Sequence, residues 1–384
     1  MVRVNQRCRV GLWLSGALLG LASCAEAPSA GRSAPAPPQS APDERDLVSL
    51  LPAAVDSVLT VDLARLRGSA FARPLLQAAA GDDGQARRAR GFDEIADVDA
   101  WAFARVGAPG GDRATLELAR GRFDRARIFA AFRARWPQAQ PTRFGRLEGV
   151  TEADVAVAFV SPRALVFGPP WALRVVAGVV EGKTVSARGL PWLAEVGKAL
   201  ARGRAPYRDV DGEADSPGAA LAAAAELALL ATPSTRAELA AAFGVQMPLD
   251  HLGARIDVGK AARGLLIATA TSAEAAQTLA EQLRLGLAQL RERPSVRAMG
   301  LGRMLARGDV ACKDTRVALA LTISAAEREN VASKLARFAA LLARGASGPP
   351  APPAPLPPER RESAPPVQPL EAEPAREQGP AGQR

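Results

Sequence analysis

The sequence predicts an α+β protein made of two similar tandem lobes, each an antiparallel sheet with helices packed on one face. Three observations predict it. Apolar residues alternate with a period of two in many short segments, and stretches of helical spacing separate those segments. Turns marked by Gly, Pro or charge join the alternating segments in pairs, as hairpins are joined. The order of elements over residues 45–205 then recurs over residues 218–345.

In the first lobe "DSVLTVDL" places Leu59, Val61 and Leu63 on one face of a strand, and "SAFARPLLQAAA" seeds a helix. "DAWAFARV" and "ATLELAR" flank the turn "GAPGGDR" as a hairpin. The helix "FDRARIFAAFRARW" carries Ile128, Phe129, Phe132 and Trp136 on one side. "VAVAFV" and "RALVFG" form a second hairpin across Ser161-Pro162. Pro169 and Pro170 suit the start of the helix "PPWALRVVAGVV", because proline is pre-organised for a first helical turn. "LPWLAEVGKALA" closes the lobe as a helix, and the polar stretch 206–217 links it to the next.

The second lobe opens with "LAAAAELALLATPSTRAELAAAF", read as a strand and then a helix. "LGARIDVGKAARGLLIATAT" is a hairpin across Gly259-Lys260. Thr271 and Glu274 have capping-box spacing for a helix bearing Leu279, Leu283, Leu287 and Leu290. "DVACKDTRVALALTI" is a further hairpin with Val317, Leu319, Leu321 and Ile323 alternating. Ser324 and Glu327 form a second capping box before a helix with Val331, Leu335, Phe338 and Leu341. Each lobe thus reads β-α, hairpin, α, hairpin, α, with one extra helix placed differently. The pattern implies duplication of one unit.

The two ends differ from this plan. Arg3, Arg7 and Arg9 precede an apolar run from Val10 to Ser23, which is shorter than the ~20 residues a spanning helix needs. A basic start, a short apolar run and small residues before a cut make a secretory signal over 1–23. Leu21-Ala22-Ser23-Cys24 resembles the bacterial lipobox. That resemblance implies cleavage between Ser23 and Cys24, a diacylglyceryl group on the Cys24 thiol and acylation of its freed amine. Two or three acyl chains on one residue anchor stably where one holds only marginally, since each buried CH₂ contributes ~0.8 kcal/mol. By analogy with enteric lipoproteins, Ala25 in place of Asp implies transport to the outer membrane. Residues 24–44 are a Pro/Ala linker, and 346–384 are a Pro-rich tail that composition predicts to be disordered.

The opening of the first lobe, "LLPAAVDSVLTVDLARLRGS", is similar to that of a broad set of uncharacterised secreted or lipid-anchored proteins of GC-rich Gram-negative bacteria. The resemblance lends no activity. Only Lys183, Lys198, Lys260, Lys313 and Lys334 are lysines among 49 basic residues, and the rest are arginines. Ala, Arg, Gly and Pro bias follows from such a genome, so the formal charge of +9 does not by itself imply nucleic acid. No basic run interleaved with aromatics occurs.

Candidate chemistry is sparse. His251 is the single histidine, so no His-based zinc motif and no second histidine are available. It lacks a nucleophile elbow and reads as a surface or edge-strand residue. After cleavage Cys24 and Cys312 remain, one of them acylated, which leaves no internal disulfide. Cys312 reads as a small apolar residue. Asp209, Asp211, Glu213 and Asp215 only partly match a calcium loop. Asp82, Asp83, Asp93 and Glu94, mixed with arginines, read as a solvated loop. Trp101, Trp136, Trp171 and Trp192 read as core.

The sequence therefore predicts no cofactor, no metal and no catalytic residue. It points to a lipid-anchored cell-envelope protein that binds or interacts without catalysis. Its expected partners are the membrane, through the acyl chains, and an envelope protein or an apolar ligand held between the lobes. The alternatives are an envelope enzyme using carboxylates and a structural spacer contacting the cell wall.

Overall fold

Among the described residues twelve strands assemble into one sheet, most of them built on alternating apolar positions. The strands are β1 Val55–Asp62, β2 Val98–Gly107, β3 Arg113–Gly121, β4 Gln140–Phe144, β5 Leu147–Glu152 and β6 Val155–Ser161. They continue as β7 Ala164–Gly168, β8 Ala222–Leu230, β9 Leu249–Val258, β10 Ala262–Ala270, β11 Asp309–Lys313 and β12 Arg316–Ile323. The helices are α1 Leu63–Gly68, α2 Arg73–Ala80, α3 Arg125–Arg135, α4 Pro170–Val180, α5 Pro191–Arg202, α6 Ala273–Glu292, α7 Pro294–Ala298 and α8 Gly302–Ala306. The computed structural model describes residues 43, 46–80, 90–108, 113–202, 222–232, 235–237, 248–259, 262–298, 300–324, 327, 330, 331, 333 and 334.

Across the sheet the order is β11-β12-β10-β9-β8-β1-β2-β3-β7-β6-β5-β4, and every ladder is antiparallel. The fold is thus α+β with a large antiparallel sheet. Strands from both halves of the sequence share it, joined where β1 pairs with β8. There Leu59 faces Leu227, Val61 faces Ala225 and Val58 faces Ala228. A hydrogen-bonded ladder thus joins the two runs of strands.

Helices cover both faces, which corrects the expectation of one. On the first face Leu59, Val61, Trp101 and Leu165 pack against Leu63 and Leu66 of α1, Leu76 of α2, and Ile128 and Phe132 of α3. Farther along that face Ala276, Leu279 and Ala280 of α6 meet Ala268 and Val317. On the second face Leu173, Val176 and Ala177 of α4 meet Leu116, Leu118 and Val166. Val196, Ala199 and Leu200 of α5 meet Ala228, Leu265 and Ile267. The physical reason lies in runs such as "AVAF" of β6, which are apolar at every position and buried throughout. A strand buried on both sides loses its alternation.

Most predicted elements stand, with local corrections. Leu63 is the first residue of α1 and not the end of β1, because Asp62 caps the helix by accepting from the Arg65 N–H. The cap of α6 is Ser272, whose hydroxyl accepts from the Ala275 N–H at 3.1 Å; the cap therefore lies one residue after Thr271, and with Ala275 three positions on it makes no reciprocal box. Ser324 and Glu327 do make the reciprocal box: the Glu327 N–H donates to the Ser324 hydroxyl, and the Ser324 N–H donates to the Glu327 carboxylate. Val331 is buried, whereas Leu335, Phe338 and Leu341 lie outside the described residues. The β4–β5 hairpin, turning at Gly145-Arg146, and the short helices α7 and α8 were not foreseen.

The edges of the sheet are distinct. At one end β4 carries Pro141, which has no N–H to offer, and exposed Arg143. At the other, β11 is five residues long with exposed Asp309 and Lys313, and Arg284 of α6 donates to its Val310 carbonyl at 2.9 Å.

Close packing of α5 on the sheet depends on Gly253 in β9. A Cβ there would come within 2.7 Å of a Val196 methyl and 3.3 Å of Leu200. Gly253→Val is expected to destabilise the protein by about 1–3 kcal/mol through overpacking, read as a lower urea midpoint with an unchanged m-value.

Candidate functional site

One group of ionisable and aromatic side chains lies where the loop Gly91–Asp97 meets the β2–β3 hairpin. The loop is fixed by its own hydrogen bonds. Asp93 accepts from the N–H groups of Ile95 and Ala96 at 2.9 and 2.8 Å, and Asp97 accepts from the Asp93 N–H at 2.8 Å. Gly91 has φ +78°, and a Cβ on it would sit 2.7 Å from the Arg127 carbonyl, so only glycine fits there.

On this loop Phe92 stacks near Phe167 and meets Phe123 edge-on, with ring centroids 6.2 and 5.4 Å away. Trp101, 2 % exposed, stacks on Phe103 at 5.3 Å. Arg90 stands over the Trp101 ring at 5.9 Å, with its Nε 3.0 Å from the Glu94 carboxylate and a terminal nitrogen 3.8 Å from Glu117. Burial pushes the Glu94 carboxyl above its ordinary value; Arg90 draws it back, and Glu117 and Asp93 add to the rise. Glu94 is therefore not part of a solvated loop, as its composition implied. Two carboxylates above an aromatic floor form a cation site, and here the chain supplies the cation itself as Arg90.

A second group surrounds His251. It lies on β9, an interior strand paired with β8 and β10, which corrects the surface or edge-strand expectation. Its Nε2 is 3.4 Å from Glu195 of α5, and the other oxygen of Glu195 is 3.1 Å from Arg316 of β12. The cluster ties α5 to two strands.

The third group centres on a buried pair. Arg255 on β9 places Nε 2.6 Å from Asp257 and a terminal nitrogen 3.1 Å from Glu226 on β8. The side chains of Arg255 and Asp257 are 4 % and 6 % exposed. The recess beside Leu59, Leu227 and Arg255 encloses about 10 Å³, room for one water. Sequence reading missed this triad. Its only signal was charge at alternate positions in "ARIDV" and a lone Glu in "AAAELALL".

The other singled-out residues fall as follows. Ser23 and Cys24 lie outside the described residues, as do Asp82, Asp83, Asp209, Asp211, Glu213 and Asp215. Trp101 is core; Trp136, Trp171 and Trp192 are half-buried against it. Cys312 is half-buried beside the α6 cluster. Among the described residues, no three potential ligands gather to hold a metal, and no helix is long and apolar enough to cross a membrane.

No protein-family model and no curated protein matches the chain. Solved structures that resemble it include crystal form I of TP0453, at TM-score 0.37 and 11 % identity over 76 % of this chain and 96 % of that one. Crystal form III of TP0453 gives TM-score 0.37 and 12 % identity over 76 % and 97 %. Likeness of that degree carries no activity across.

Two outcomes follow from the geometry. Glu94 holds its proton more tightly folded than unfolded, so stability falls as pH rises through the range just above 4.5. Glu94→Gln, which cannot ionise, is expected to remove that fall; urea unfolding across the acidic range measures it. Asp257→Ala leaves the Arg255 charge buried beside half-exposed Glu226 and is expected to cost about 3–5 kcal/mol. Arg255→Met combined with Asp257→Leu is expected to cost much less, both read from urea unfolding at neutral pH.

Proposed function

We propose that this chain is a lipid-anchored cell-envelope protein whose folded part is a non-catalytic interaction module. Its binding partner is another envelope component. The observation that carries the non-catalytic reading is where five carboxylates turn, Glu94, Glu117 and Asp257 from within the fold and the half-exposed Glu226 and Glu195. Glu94 and Glu117 turn to Arg90, Asp257 and Glu226 to Arg255, and Glu195 to Arg316 and His251. A general acid or nucleophile must face its substrate; these groups stitch loops and helices to the sheet.

The anchor reading rests on Leu21-Ala22-Ser23-Cys24 and on the signal-like run before it. The proposed organisation is a signal over 1–23, a linker over 24–44, units over 45–205 and 218–345 joined by 206–217, and a tail over 346–384. Duplication is supported by strand order. Outward from the β1–β8 pair, one side runs β1-β2-β3-β7-β6 and the other β8-β9-β10-β12-β11. The β4–β5 hairpin is the addition to the first unit.

Palmitate labelling tests the anchor: wild type is expected to take up label and Cys24→Ala to lose both label and membrane fractionation. Persistence of either in the variant ends the lipoprotein reading. In-cell crosslinking with mass spectrometry is expected to recover the same envelope component in repeated experiments, and recovery of none ends the interaction reading.

A further inference from the structure

Helix α3 differs from the other covering helices in its charge. Over Arg125–Arg135 it has Arg125, Arg127, Arg133 and Arg135 and no acidic residue. Arg125 is taken by Glu148 at 2.5 Å. Arg127, Arg133 and Arg135 are exposed and have no ion pair among the described residues; Arg135 lies over the Trp136 ring at 4.8 Å. Helix α5, on the opposite face of the sheet, instead mixes Glu195 with Lys198 and Arg202.

The geometry of α3 is also fixed. Ile128 and Phe132 are buried, which sets the rotation of the helix. Ala126, Ala130 and Ala134, four residues apart, then form the outermost row and are exposed. At 100° per residue Arg133 flanks that row on one side and Arg127 on the other. No bulky or acidic side chain stands between the arginines, so a flat surface can approach the methyl row while both flanks reach it. Half-buried Trp136 at the end of the helix is a residue type suited to a membrane–water interface.

We propose that α3 is a docking surface for anionic lipid headgroups, which lays the folded domain against the membrane that carries it. This deepens the anchoring reading and depends on it only for the presence of a membrane. Charge complementarity selects an anionic partner, and the flat row selects a surface over a strand held in a groove. An arginine close to an anionic leaflet contributes about fivefold in partition, so Arg127 and Arg133, the two that flank the row, contribute on the order of twentyfold. Salt at ~1 M shortens the screening length to about 3 Å and cancels it.

The test is an arginine footprint of the wild-type, membrane-bound chain, so no variant has to fold. Phenylglyoxal modification is read by mass spectrometry in vesicles of phosphatidylcholine alone and with phosphatidylglycerol added. Arg127 and Arg133 are expected to be protected at least tenfold more in the anionic vesicles, an effect erased by ~1 M salt. Arg188, whose side chain is 63 % exposed, is expected to react equally in both. Equal labelling of α3 in the two vesicles overturns the proposal, as does equal protection of Arg188, or protection by a soluble oligonucleotide without vesicles. Palmitate labelling reports the anchor and the footprint reports α3, so the two readings fail separately.

Discussion

The antiparallel pairing of β1 with β8 is the constraint on which the remaining structure depends. Each half of the sequence ends its own run of strands on an edge there, with backbone donors and acceptors that need partners. Pairing satisfies both edges at once and aligns the apolar rows, Leu59 with Leu227 on one face and Val58 with Ala228 on the other. On the first face the core runs through the seam from Leu59 to Leu227 and Ala254, and on the second Trp192 and Leu193 of α5 pack against the clusters on either side of it. Helix α5, which precedes β8 in sequence, can then reach over the strands that follow it and pack on Leu265 and Ile267. The halves share a layer, and neither is closed without the other.

Charge is arranged to serve that continuity. Arginine suits the task because its planar fork holds two carboxylates in fixed directions and stays protonated when buried. Arg255 joins β8 to β9 beneath the second face, Arg90 joins a loop to β3, and Arg67 joins α1 to Asp99 at the start of β2. Removing one partner of a buried pair strands the other charge, so these positions are less tolerant than exposed pairs such as Arg291–Glu292.

Much of this was legible in the sequence, and the unread part has physical causes. Hairpins read well because alternation and turn chemistry are local: "VALALTI" of β12 and the "KDTR" turn before it needed no distant information. The β4–β5 hairpin was illegible because "QPTRF" has one apolar residue at its end and lies at an edge, where only one neighbour shapes it. Thr271 and Ser272 both bear a hydroxyl ahead of the same helix, so spacing alone misplaced the cap. Coverage of both faces was hidden by alanine, which serves a buried face and an open one equally. The ion clusters were hidden because Glu117 and Arg90, or Arg255 and Glu226, become neighbours only once the sheet is laid out.

The two stoppered edges bear on crowding. A chain tethered as proposed diffuses in two dimensions with its copies held in one orientation, and tethering raises local concentration toward the millimolar range. A twelve-stranded sheet with open ends would then find another copy's edge at every encounter and grow into a ribbon. Pro141 and Arg143 at one end, and the short β11 with Asp309, Lys313 and its bond from Arg284 at the other, keep the sheet finite. Such a protein can be packed densely on a surface and still remain a collection of separate molecules.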